Sequence, residues 1–313
     1  MPKNIRNIKT LLVVLAACAL VFFGIKLVQK IIRSSGPGIK TKAANITALR
    51  LDSPLGSYNF KKEGKPATWK VASASGAASD VYYECDQRLV ENIINKIETM
   101  KLTDVVSDSE SRWEEFQVCL PQGVRVEFTD KKGRRTAFLI GRFGYDQEHF
   151  YFRFEGQKQT WLETGFEGWV GYGNLDYWRD KRILNFDRAK ITEIEITEPA
   201  KGAKEKILLK KTSDYWEILS GAPGEFRKAA NQGTIDQLLM PASTLDGDEF
   251  AGPQDKIKKV QMKITIKTAE QTAELVLGDL ANSKYLIKKT GGEHTYRIYE
   301  YKFAPFKKSR SDF

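Results

Sequence analysis

The chain has 313 residues, 41% of them hydrophobic and 29% charged, with a formal net charge of +10. That length suits two ordinary domains, and the composition suits a folded, water-exposed bulk. The charge is local. Residues 1–50 hold nine basic residues (Lys3, Arg6, Lys9, Lys26, Lys30, Arg33, Lys40, Lys42 and Arg50) and no Asp or Glu, so the rest carries 41 basic against 40 acidic residues. A body so near neutrality releases few counterions, which argues against nucleic acid as a partner.

Residues 1–9 read as a basic tail. From Leu11 to Ile25 no residue is charged, and Leu27, Val28, Ile31 and Ile32 prolong the run past Lys26. A spanning helix needs about 20 mainly apolar residues, and Lys26 and Lys30 can snorkel to headgroups. Residues 10–32 are therefore expected to be a transmembrane signal-anchor helix. Leu15-Ala16-Ala17-Cys18 competes with this reading as a lipoprotein cleavage site. Cleavage there would leave half an apolar helix at the new terminus, so the uncleaved anchor is favoured. Residues 33–45, rich in Gly, Pro, Ser and Lys, read as a linker.

The body then repeats itself. "ITALRL" at Ile46 matches "ITEIEI" at Ile191, and Trp69 after a short hairpin matches Trp216. A helical stretch follows in each copy, "RLVENIINKIETM" and "TIDQLLMPASTL". Next come long strand pairs ending at Gly141 and Gly278, then a closing strand pair. The period is about 140 residues. Val124, Val126 and Phe128 alternate with polar residues, as do Met262, Ile264 and Ile266, which is the strand period. Leu89, Ile93, Ile94 and Ile97 share one helix face. Pro241 is expected to break the second helix or start a new turn. The fold class is thus α+β: a transmembrane helix, then two tandem repeats, each an antiparallel sheet with a packed helix. The repeats are placed at 46–167 and 191–305, joined by an aromatic and basic connector at 168–190, with a basic tail at 306–313.

Chemistry is sparse. There are three cysteines, two histidines and no Cys-x-x-Cys pair, which leaves no structural zinc set. His149 and His294 hold similar places in the two repeats and read as turn-flanking surface residues. No phosphate loop, nucleophile elbow, metalloprotease or dinucleotide motif occurs. Cys85 and Cys119 could form a disulfide in an oxidising compartment or remain two small buried thiols. Acidic runs at Asp108–Glu115 and Asp246–Glu249 read as solvated loops before they read as calcium sites. The window Tyr145, Phe150, Tyr151, Trp161, Trp169, Tyr172, Tyr177 and Trp178 could stack on sugars, anchor a partner or fill the core. No catalytic residue, cofactor or metal is expected. The candidate partner-binding residues are Trp169, Tyr172, Tyr177, Trp178, Arg179, Asp180 and Arg182. Arg179 and Asp180 are expected to pair across the seam between repeats or with a partner.

The series of Trp-Lys-Val, helix, strand pair ending "LIG", aromatic strand, "YWRDKRILNFD" and "ITEIEI" resembles an uncharacterised bacterial family, domain of unknown function 4340. The resemblance covers about residues 46–305 and is most specific in "YWRDKRILNFDRAKITEIEI". It implies a membrane-tethered protein with tandem α+β units, associated with ABC-type transport systems of the gliding-motility kind. It carries no catalytic residues over. The proline in "LLMPASTLDGDEFAG" departs from the pattern and puts the regularity of the second unit in doubt. The expectation is a single-pass protein of the bacterial inner membrane, its body in the periplasm, acting as a non-enzymatic accessory or scaffold subunit. The alternatives are an envelope glycan-binding module and an unrecognised hydrolase using acidic residues.

Overall fold

Alternating apolar residues build the first sheet. In strand β1 (Ile46–Ser53) they are Ile46, Leu49 and Leu51, and in β6 (Val124–Asp130) they are Val124, Val126 and Phe128. The two strands pair antiparallel at the centre, Leu49 opposite Phe128 and Leu51 opposite Val126. The computed structural model describes residues 20–24, 39, 41–75, 81–166, 171, 173–199, 206–219, 228–252 and 254–313. These form two compact units, the chain dividing between Asp180 and Lys181.

The first unit is a nine-stranded antiparallel sheet in the order β4-β3-β2-β1-β6-β7-β8-β9-β5. The further strands are β2 (Gly56–Glu63), β3 (Thr68–Ser73), β4 (Tyr83–Glu84), β5 (Lys101–Ser107), β7 (Arg135–Phe143), β8 (Phe150–Phe154) and β9 (Thr160–Thr164). Helix α1 (Gln87–Thr99) covers one face. Asp86 caps it by accepting from the Arg88 amide, and Val90, Ile93, Ile94 and Ile97 form its buried stripe. Val90 rather than Leu89 takes the deep position; Leu89 packs at the margin.

The second unit repeats the order, β14-β13-β12-β11-β17-β18-β19-β20-β16. Its strands are β11 (Ile191–Thr197), β12 (Ile207–Lys211), β13 (Trp216–Leu219), β14 (Lys228–Ala229), β16 (Glu249–Phe250), β17 (Met262–Thr268), β18 (Thr272–Ala281), β19 (Lys284–Lys289) and β20 (Thr295–Tyr299). Strands β10 (Arg182–Asn185) and β15 (Thr244–Asp246) form a separate pair. Helix α2 (Gln232–Ser243) takes the place of α1, capped by Asn231 and buried through Ile235, Leu238, Leu239 and Ala242. The expected break at Pro241 does not occur. Pro241 sits in the last turn, where the missing amide removes one helical bond, and the helix closes when the Thr244 amide donates to the Met240 carbonyl.

The other face of each sheet explains the matched glycines. In the first unit the segment after β5 crosses β7, β8 and β9 and builds a second small core from Phe116, Val118, Leu139, Tyr151 and Leu162. It passes so close to Gly141 that a Cβ there would overlap the Phe116 carbonyl oxygen. In the second unit a Cβ on Gly278 would lie 2.8 Å from the Ile257 side chain, on the equivalent crossing. Covered on both faces, β8 is buried at all five positions, Arg153 included, whose guanidinium donates to the Val118 carbonyl of the crossing segment at 3.0 Å. Where the outer face of the first sheet carries charge, Arg125 reaches Asp52 (3.2 Å), Glu127 (2.6 Å) and Glu155 (2.7 Å).

The expected span at 10–32 and Cys18 lie almost wholly outside the described residues; within it, residues 20–24 are helical and exposed. Among the described residues, no helix is long and apolar enough to cross a membrane.

Candidate functional site

The connector folds onto the first unit. Asn174 caps a helical turn, Leu175–Trp178, by accepting from the Tyr177 amide at 2.9 Å. That turn drives Trp178 into the first core, where it is fully buried and edge-on to Phe60, with ring centroids 5.3 Å apart. Its carbonyl accepts from the Asp86 amide (2.9 Å) and the Cys85 thiol (3.0 Å). Arg179 forms a backbone bridge with Cys85, and its guanidinium lies 4.1 Å above the Tyr83 ring centroid. The Asp180 amide donates to the Glu84 carbonyl at 2.9 Å. Residues 175–180 therefore extend the β4 edge of the first sheet.

This corrects several expectations. Trp178 is a core residue and unavailable to a partner. Arg179 pairs with Asp176 of its own turn at 2.9 Å. Arg182 belongs to the second unit, in β10 opposite Asp246. Tyr177 stays partly exposed, and Trp169 and Tyr172 lie outside the described residues. Neither Cys85 nor Cys119 is in a disulfide. Cys85 faces the α1 core, while Cys119 follows Val118 of the core on the opposite face, so the sheet stands between them. Of the aromatic window, Phe150, Tyr151 and Trp161 are buried and Tyr145 is 85% exposed.

The remaining polar candidates are held locally. The His149 Nδ1 lies 2.5 Å from Asp146 Oδ2, and His294 packs edge-on against Phe250. In the acidic runs Glu115 pairs with Arg112, Asp248 with Lys302 and Glu249 with Lys284. Among the described residues, no three His, Cys, Asp or Glu side chains gather in a way that could hold a metal ion.

A concave feature with polar walls lies in the second unit. A cavity of about 490 Å³ opens between the turn before β11, the β12–β13 turn and the start of α2. Trp216 and Leu239 give it an apolar floor; Asp187, Arg188, Lys211, Asp214, Gln232 and Asp236 give it charge and hydrogen-bonding groups. Arg188 donates to Asp236 at 2.7 Å, Gln232 donates to the same carboxylate at 3.2 Å, and Lys211 donates to the Ala189 carbonyl at 3.0 Å. Such a site can hold a small polar group by exchanging these bonds. The residues come from three distant segments, each unremarkable alone, so no local motif marked them.

No curated protein and no solved structure matches the chain. A family model does match, over residues 69–263, from the tryptophan of the first hairpin through α2 to the second central strand pair. Matched over more than half of its length, the chain belongs to the family described as domain of unknown function DUF4340.

Proposed function

We propose that this protein is a single-pass anchored accessory subunit of the bacterial inner membrane. Residues 10–32 would hold it in the bilayer, and the two units would act in the periplasm as a non-enzymatic scaffold for an ABC-type transport complex of the gliding-motility kind. The supporting observation is the repetition: one nine-strand order built twice, with apolar residues in two main cores and charges largely paired on the surface. Each of the two sheets offers a recognition surface and needs no chemistry of its own. The uncharged run from Leu11 to Ile25, flanked by basic residues, supports the tether.

Affinity purification of the full chain from mild detergent tests this reading. Transporter subunits should co-purify. Their absence under several detergents and salt concentrations would overturn it.

A further inference from the structure

Glu163 is the polar group least explained by the fold. It lies on β9, with Phe150 of β8 on one side and Leu102 of β5 on the other. Phe150, Phe152 and Trp161 share its face, which α1 covers, and its exposure is 0%. One carboxyl oxygen, Oε2, accepts from the Phe166 amide at 3.2 Å; the other, Oε1, has no hydrogen-bond partner among the described residues. Beside it the Trp161 Nε1 is also buried and has no acceptor among the described residues.

The charges around it are few. From α1, Lys96 acts on it, too weakly to offset burial. From β5 the flanking charge, Lys101, stands opposite Thr164 and is exposed. From the β7–β8 turn, His149 is engaged with Asp146. A carboxylate here would have one amide donor in an apolar setting, which is costly; a neutral acid is tolerated. Burial accordingly pushes the group up to about 8.

The position gives the proton a mechanical role. Glu163 holds the Phe166 amide, and Phe166 is itself fully buried, edge-on to Phe138 at 5.8 Å. Gly165 between them takes a left-handed φ of 102°, which folds the chain back over the carboxyl. We propose that Glu163 is a proton-dependent latch: neutral, it keeps Phe166 seated in the first core; ionised, it leaves that core and unseats Phe166 with it. The proton passes to solvent, and no other reactant is required. The inference stands on the first unit alone and does not depend on the scaffold reading.

Hydrogen exchange on the full chain tests it, with rates corrected for the intrinsic effect of pH. Protection of the Phe166 amide should fall about tenfold between about pH 7 and about pH 9, and stay flat in Glu163→Gln, which mimics the neutral acid. Amides of β1 and β6 should not change. Unaltered protection in the wild type, or an equal fall in the variant, would overturn the proposal. If Glu163→Gln does not fold, isotope-edited infrared or NMR titration of the wild-type carboxyl decides. A midpoint in the ordinary carboxylate range overturns the proposal; a midpoint near 8 that coincides with the loss of Phe166 protection supports it.

Discussion

Replacing Trp178 by alanine would empty a fully buried site between Phe60 and the Asp86 cap. Large-to-small changes of this kind cost about 3–5 kcal/mol. Chemical denaturation should register that loss in the first unit, whereas Tyr177→Ala, at a partly exposed ring, should cost far less. Glu163 gives the residue scale a pH signature. Its pKa is about 8 in the fold against an ordinary 4.5, so the native state binds a proton that the unfolded chain has released across that window. Its effect on stability is therefore least unfavourable below pH 4.5, worsens by up to about 1.4 kcal/mol per pH unit as pH rises toward 8, and levels off above. Denaturation midpoints should follow that slope, and Glu163→Gln should remove it.

At the scale of elements, periodicity made most strands legible. Val124, Val126 and Phe128 announced β6 because one face of that strand stays wet. The same rule predicts one buried face for "FYFRF" in β8, yet a crossing segment from elsewhere in the chain covers its second face and all five positions are buried. Gly141 and Gly278 were visible as a matched pair, yet their cause was not, since close approach of a distant backbone leaves no local mark. Pro241 misled for a related reason: a proline in a last turn costs one bond, and the apolar stripe from Ile235 to Ala242 outweighs it. The cavity was illegible, being assembled from three segments. The connector was legible as aromatic, but only packing turns Trp178 inward. A prediction follows for this element. A fragment ending at Asp180 should fold to a cooperative unit, while one ending at residue 167 should lose cooperativity, because it lacks Trp178 and the bonds from Asp86 and Cys85 to the Trp178 carbonyl. Circular dichroism melts of the two fragments compare them directly.

For the whole molecule, the thiols of the body report orientation. Cys85 is buried, and Cys119 is partly exposed with its Sγ 3.5 Å from Gln122 Oε1. Burial, with help from Glu114, raises the Cys119 thiol, so labelling calls for mildly alkaline buffer. A membrane-impermeant maleimide applied to intact cells with a permeabilised outer membrane should modify Cys119 if the body is periplasmic, and Cys119→Ser should abolish the signal. Labelling that appears only after the inner membrane is opened would place the body in the cytoplasm.

The crossings over each sheet also set two different tolerances to change. At position 141 the obstacle is a peptide carbonyl, which cannot step aside, so saturation mutagenesis should recover glycine alone. At position 278 the obstacle is the branched root of Ile257, its Cγ1 and Cγ2, so alanine should survive there only beside Ile257→Ala, which removes both atoms. Gly133 poses the opposite problem: space is open around it, and only its φ of +76° resists, so asparagine should pass where alanine does poorly. Sequencing the survivors of such a library would separate a shortage of room from a shortage of backbone freedom within one chain.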